Sequence, residues 1–161
     1  MLVLALLVGI AAALFAAAFF SKRRFGLLGL ALTAGATLST LWSYDAGLIV
    51  SSTGLFPDGP ITNAVALAVV VLLPAILLFF HGYSYKSMFG RVVGSVLFTV
   101  LALAFLTEPI GSVIALSGIS QDVYNFIVAN KSTIISIGVI FAVIDLFFTK
   151  PPSKKERERH H

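Results

Sequence analysis

The sequence predicts an all-α, polytopic integral membrane protein with five transmembrane helices and short interfacial or re-entrant helices on the outer side. Three observations lead there. Of the 161 residues, 58% are hydrophobic and 11% are charged, against roughly 25% charged in an ordinary soluble domain. The mean hydropathy is +1.02. A soluble domain of about 150 residues still exposes about 30% of its unfolded area, so water cannot be the solvent for much of this chain. Finally, the basic residues gather in alternate connections, as the positive-inside rule requires of a multi-pass protein. The length suits one bundle over residues 1–150, followed by a charged cytoplasmic tail, 151–161, in which His160 and His161 resemble the remnant of a purification tag.

The first span is expected at 2–20. It is apolar throughout, and its positive charges follow the apolar run, the reverse of a signal peptide. About 20 residues suffice for a ~30 Å hydrocarbon core. Gly9, Ala13 and Ala17 recur every four residues, a spacing that lets a neighbouring backbone approach closely. Lys22, Arg23 and Arg24 make a very short connection to a second span at 25–43, which carries Gly26, Gly29, Gly35 and Ser39 and ends in the interfacial aromatics Trp42 and Tyr44. Thr33, Thr37 and Thr40 are expected to bond back to their own backbone.

Ala46–Leu55 is apolar but too short to span, and a Gly-Leu-Phe-Pro-Asp-Gly-Pro turn closes it. The third span, 61–80, contains Pro74, which should kink it. A polar connection with His81, Tyr83, Tyr85 and Lys86 leads to the fourth span, 89–107, which opens on Gly90, Arg91 and Gly94 and is ended by Glu108 and Pro109. Ile110–Leu116 is again too short to cross. Gln121–Asn130 has the pattern of an amphipathic helix lying along the surface, with Ser120 as its N-cap. The fifth span is expected at 132–149, stopped by Lys150, Pro151 and Pro152. If the spans alternate, one side collects Lys22, Arg23, Arg24, Lys86, Arg91, Lys150, Lys154, Lys155, Arg157 and Arg159, and the other only Lys131. Ten against one places the N-terminus outside and the C-terminus in the cytoplasm.

Four polar residues are functional candidates. Asp145 lies within the last apolar run, where a carboxylate is costly unless it reaches the interface and a basic residue such as Lys150. Glu108 could gate a cavity or simply mark a helix end. His81 stands at the cytoplasmic end of the third span, with no second His or Cys beside it to make a metal site. Arg91 is suited to anchoring its helix to lipid phosphates. The helix-packing candidates are Gly9 and Ala13, Gly35 and Ser39, and Gly90 and Gly94. No phosphate loop, nucleophile elbow, zinc-protease motif or cysteine is present. The expectation is therefore no catalytic activity and no cofactor. Lipid is the expected partner, a homo-oligomer is open, and the net charge of +4 reads as orientation rather than nucleic-acid binding.

Three stretches give the chain a resemblance to the colicin V production protein (CvpA-like) family of small bacterial inner-membrane proteins. They are the basic turn and glycine-containing helix of 21–42, the apolar outer segment leading into the third span over 46–80, and the Gly90-Arg91-Val92-Val93-Gly94 start of the fourth. The resemblance implies a bacterial inner-membrane module linked to export, envelope homeostasis or stress tolerance. The family's frequent Asp before that Arg is replaced here by Gly90, and its Arg-Gly element further along is absent, with Leu97-Phe98-Thr99 in its place. A transporter or channel using Glu108, Asp145 and Pro74 is the other reading. The two differ in whether a polar cavity runs to mid-membrane.

Overall fold

The computed structural model describes residues 2–54, 59–82, 84–85, 87–111 and 118–148. These form six helices: α1 Leu2–Ser21, α2 Phe25–Leu41, α3 Asp45–Ser52, α4 Pro60–Leu78, α5 Met88–Gly111 and α6 Ile119–Phe147. Among the described residues the only strand-like feature is an isolated bridge between Arg23 and Ser84. Three helices, α4, α5 and α6, are long and apolar enough to cross a membrane. The pair α2 and α3, bent by 85° at Trp42–Tyr44, makes a fourth if counted as one broken span. Within α1, Ala5–Ser21 is a shorter apolar helix.

Helix α2 is the centre of the bundle and packs against α4, α5 and α6, while α1 lies on α5. The core is one cluster in which Phe25, Leu28, Ala31 and Leu32 of α2 meet Val71 and Ala75 of α4, Phe98, Leu101, Ala102 and Leu106 of α5, and Ala142 of α6. Small residues let the backbones close up. A Cβ on Gly26 would lie 2.5 Å from the Ala142 carbonyl oxygen, and one on Gly35 would lie 2.8 Å from the Val71 carbonyl carbon. Pro74 has no N–H for the Val70 carbonyl one turn earlier. It is against this stretch of α4 backbone that Gly35 sits, 3.0 Å from its imagined Cβ to the Val70 oxygen. The outward faces are apolar: Val65, Val69, Ile76 and Leu77 of α4 and Ile137, Ile140, Phe141 and Ile144 of α6 are all exposed. An apolar patch of that extent needs lipid or a partner to cover it.

Several expectations are corrected. The surface helix at Gln121–Asn130 and the last span are one helix, α6, of 29 residues. At 1.5 Å per residue it is about 43 Å long, well beyond a ~30 Å core. Lys131, between the two expected segments, is a good helix former and pairs with Glu108 of α5, and the helix runs through it. Gly118, not Ser120, precedes its first turn. Helix α5 runs through Glu108 and Pro109 to Gly111 rather than ending at Thr107. A proline that near a C-terminus forfeits only one bond of the ladder. Ala46–Leu55 becomes α3, turned sharply away from α2 and packed on α4. Leu55, the Phe56-Pro57-Asp58 part of the turn after it, Tyr83, Lys86, most of the 110–116 run and the tail from Thr149 lie outside the described residues.

Candidate functional site

The ends of α1, α4 and α6 and the starts of α2 and α5 meet at one end of the bundle, and arginines tie them together. Lys22 takes a positive φ of 58°, which turns the chain within three residues from α1 into α2. Arg23 then reaches the open C-terminus of α4. Its Nε donates to the Phe79 carbonyl at 3.0 Å, one terminal nitrogen to Phe80 at 2.7 Å, and the other makes a short contact with Gly82. The last carbonyls of a helix lack internal donors, and a planar five-donor fork is well shaped to satisfy them. Arg91 does the same for α1, donating to the Phe19 carbonyl at 3.0 Å with its guanidinium 4.4 Å above the Phe19 ring. The anchoring of Arg91 is thus to a neighbouring helix, where lipid phosphate was expected.

Arg24 meets Asp145. The closest approach is 3.4 Å, with both side chains about four-fifths buried. The other carboxylate oxygen accepts the Gly26 N–H at 2.9 Å, one of the orphan donors of the first turn of α2. Asp145 therefore sits at a helix N-terminus, where a negative charge is favoured. Sequence reasoning looked for its partner in the tail and missed Arg24, 121 positions away, because nothing local links them. Tyr85 completes the group. Its hydroxyl accepts the Phe25 N–H at 3.1 Å, and its ring lies 5.3 Å from the Arg24 guanidinium. Burial pushes the Tyr85 hydroxyl above its ordinary value of 10.0, the nearby Asp145 charge adds to this, and the Phe25 and Arg24 contacts oppose it.

At the opposite end a groove of about 360 Å³ opens between α2, α5 and α6; apolar side chains such as Ala36, Leu41 and Ile135 make part of its wall, and Thr33, Thr37, Ser39, Thr40, Glu108 and Lys131 supply its polar groups. Glu108 and Lys131 form a close ion pair, with the carboxylate mostly exposed and the ammonium three-quarters buried. The threonine hydroxyls bond back one turn, as their spacing suggested. Thr33 lies eight residues from either end of α2, so the groove is about 12 Å deep on that helix. It stops at Val71 and Phe105, against the buried core.

The structure therefore brings Asp145 and Arg91 to one end and places Glu108 at the other. His81 is exposed beyond α4, its N–H bonded to the Leu78 carbonyl. Among the described residues no three His, Asp or Glu side chains converge on a metal-sized site. Of the packing candidates, Gly35 is buried on α4, and Gly90 and Gly94 lie under the Tyr85 ring. Ser39 lines the groove. Gly9 has nothing within 4 Å of its Cβ position, and Ala13 is also exposed. The face of α1 that packs is that of Ile10, Leu14 and Ala18. Gly26 and Gly29, which touch α6, were visible in sequence only as helix glycines. No family model, no curated protein and no solved structure matches this chain.

Proposed function

We propose that the protein is a five-span module of a bacterial inner membrane, with its N-terminus outside and its C-terminus in the cytoplasm. Its role is structural, export-related or in envelope homeostasis, without catalysis, as the CvpA-like resemblance implies. The observation that carries this reading is the apolar, tied half of the bundle. Below the groove, Leu28, Leu32, Phe98, Leu101 and Ala142 are all buried and apolar. Beneath them, arginines fasten the helix ends with carbonyl and carboxylate partners. An apolar core above tied helix ends suits a scaffold better than a conduit. Support for the five-span count is the alternation of helix ends, since α1, α4 and α6 finish where α2 and α5 begin. The arginine-rich end is then the cytoplasmic one.

The groove favours the transporter reading, because polar side chains at membrane depth line wet cavities. One measurement separates the two, and a second tests the orientation. Purified protein in liposomes should pass ions no faster than empty liposomes, whereas a flux abolished by changes at Thr33 or Glu108 would make it a transporter. An impermeant thiol reagent added outside cells should label Ser52→Cys and leave Ser153→Cys untouched; the reverse pattern would overturn the orientation.

A further inference from the structure

The three threonines of the groove have committed their protons. Thr33 donates to the Gly29 carbonyl at 3.0 Å, Thr37 to Thr33 at 3.0 Å, and Thr40 to Ala36 at 3.1 Å. A hydroxyl has one donor and two acceptor lone pairs, so each keeps acceptor capacity after its own bond is made. Seven residues of α2 separate the first from the last, about 10 Å along the axis. At the wide end stand two opposite charges, Glu108 on α5 and Lys131 on α6, in contact with each other. The Lys131 ammonium has three donors, and Glu108 occupies one.

This combination selects its occupant by charge balance. An anion alone that took Lys131 would stand beside the Glu108 carboxylate and be repelled by it. A cation alone that took Glu108 would strand Lys131, whose side chain is only 24% exposed, and an unpaired charge beside low-dielectric walls is costly. A zwitterion exchanges partners with both, and every charge stays paired. The geometry points to a site for a zwitterion that joins an anionic group to a primary ammonium. The phosphate or carboxylate lies on Lys131, and the ammonium lies between Glu108 and the hydroxyl oxygens of Thr37 and Thr40. The volume of about 360 Å³ equals about twelve water shares of ~30 Å³, room for a phosphoethanolamine-sized group. That chemistry has two sources, the headgroup of phosphatidylethanolamine in the surrounding bilayer and a soluble amino acid.

The test uses the full chain in detergent micelles. In one arm, native mass spectrometry compares retention of phosphatidylethanolamine with that of phosphatidylcholine of the same acyl chains, whose trimethylated nitrogen has no N–H to donate. In the other, calorimetry titrates glycerophosphoethanolamine and glycine, both with one positive and one negative charge, into lipid-free micelles. We expect about a tenfold preference for the primary amine, the size of one charge-assisted hydrogen bond. Glu108→Gln and Lys131→Met should each remove it. Thr37→Val with Thr40→Val preserves shape at two exposed positions and should weaken binding several-fold at unchanged helix content, so the test stands even if a charge variant fails to fold. Preference in the first arm assigns the site to lipid; binding in the second without lipid preference assigns it to a soluble zwitterion. Equal retention of both lipids with no soluble binding, or binding indifferent to all the substitutions, would overturn the site.

Discussion

Gly35→Ala tests the central contact of the bundle with a single methyl group. Its carbon would lie 2.8 Å from the Val71 carbonyl carbon and 3.0 Å from the Val70 oxygen. Comfortable separation between carbons is ~3.5–4.0 Å, so α2 and α4 must part by roughly 0.7 Å or more. Both obstacles are backbone of a packed helix, so no side chain can swing away. A gap of that size forfeits a quarter to a half of each dispersion contact along the seam, and lipid supplies no hydrophobic force to restore it. Overpacking of this kind costs ~1–3 kcal/mol. Alanine also returns up to ~1 kcal/mol of helix propensity, which would mask part of the loss. Gly9→Ala supplies the control, since nothing lies within 4 Å of that position and the propensity gain is shared. The difference between the two variants isolates the steric effect. In detergent, followed by the fluorescence of Trp42, the only tryptophan, Gly35→Ala should unfold ~1–3 kcal/mol more readily than Gly9→Ala. Equal stabilities would mean that α2 and α4 do not cross at Gly35.

Further outcomes follow from the arginine-tied end. Arg23→Ala should destabilise by ~1–3 kcal/mol and speed hydrogen exchange at the end of α4, while Arg23→Lys should recover only part, because an ammonium cannot reproduce three bonds from one planar fork. Asp145→Asn keeps an acceptor for the Gly26 N–H and should cost ~1 kcal/mol, whereas Asp145→Leu orphans that donor and should cost ~2–3 kcal/mol more; equal effects in urea titrations would deny the bond. Tyr85 has a raised folded value, so its contribution is fully present below pH 10.0 and is lost as pH rises through the higher folded value. An alkaline melting series should show that loss in the parent and not in Tyr85→Phe, which also lacks the acceptor for Phe25.

Run length was enough to place several helix starts, because a long apolar run bounded by polar residues leaves little choice of where a helix begins. Starts at Phe25, Pro60 and Met88 fall within one residue of those expected. Where the reading failed, a distant residue had changed the local rule. Lys131 marks an interface only while its charge is unmatched, and Glu108 on another helix matches it. The Asp145 partner could not be found by looking along α6, since the ion pair is made by the α1–α2 turn. Helix glycines announced close packing without saying against what. Gly35 and Gly9 look alike in sequence, yet one is buried on α4 and the other touches nothing. The hydroxyl pattern of α2 was legible as back-bonding, but the groove is made only where Glu108 of α5 and Lys131 of α6 come together over that face.

The tied end also has a history in time. During synthesis the chain emerges N-terminus first, so the turn at Lys22, Arg23 and Arg24 exists before any of its partners. Arg23 awaits Phe79, Phe80 and Gly82, and Arg24 awaits Asp145, 121 residues later. At first these cations are without those partners. Only when α4 and then α6 arrive are the same charges enclosed. The basic turn is thus enclosed only by helices made after it, and α6, made after α4, supplies the Asp145 partner. A nascent chain stopped before α6 would lack the Arg24–Asp145 tie.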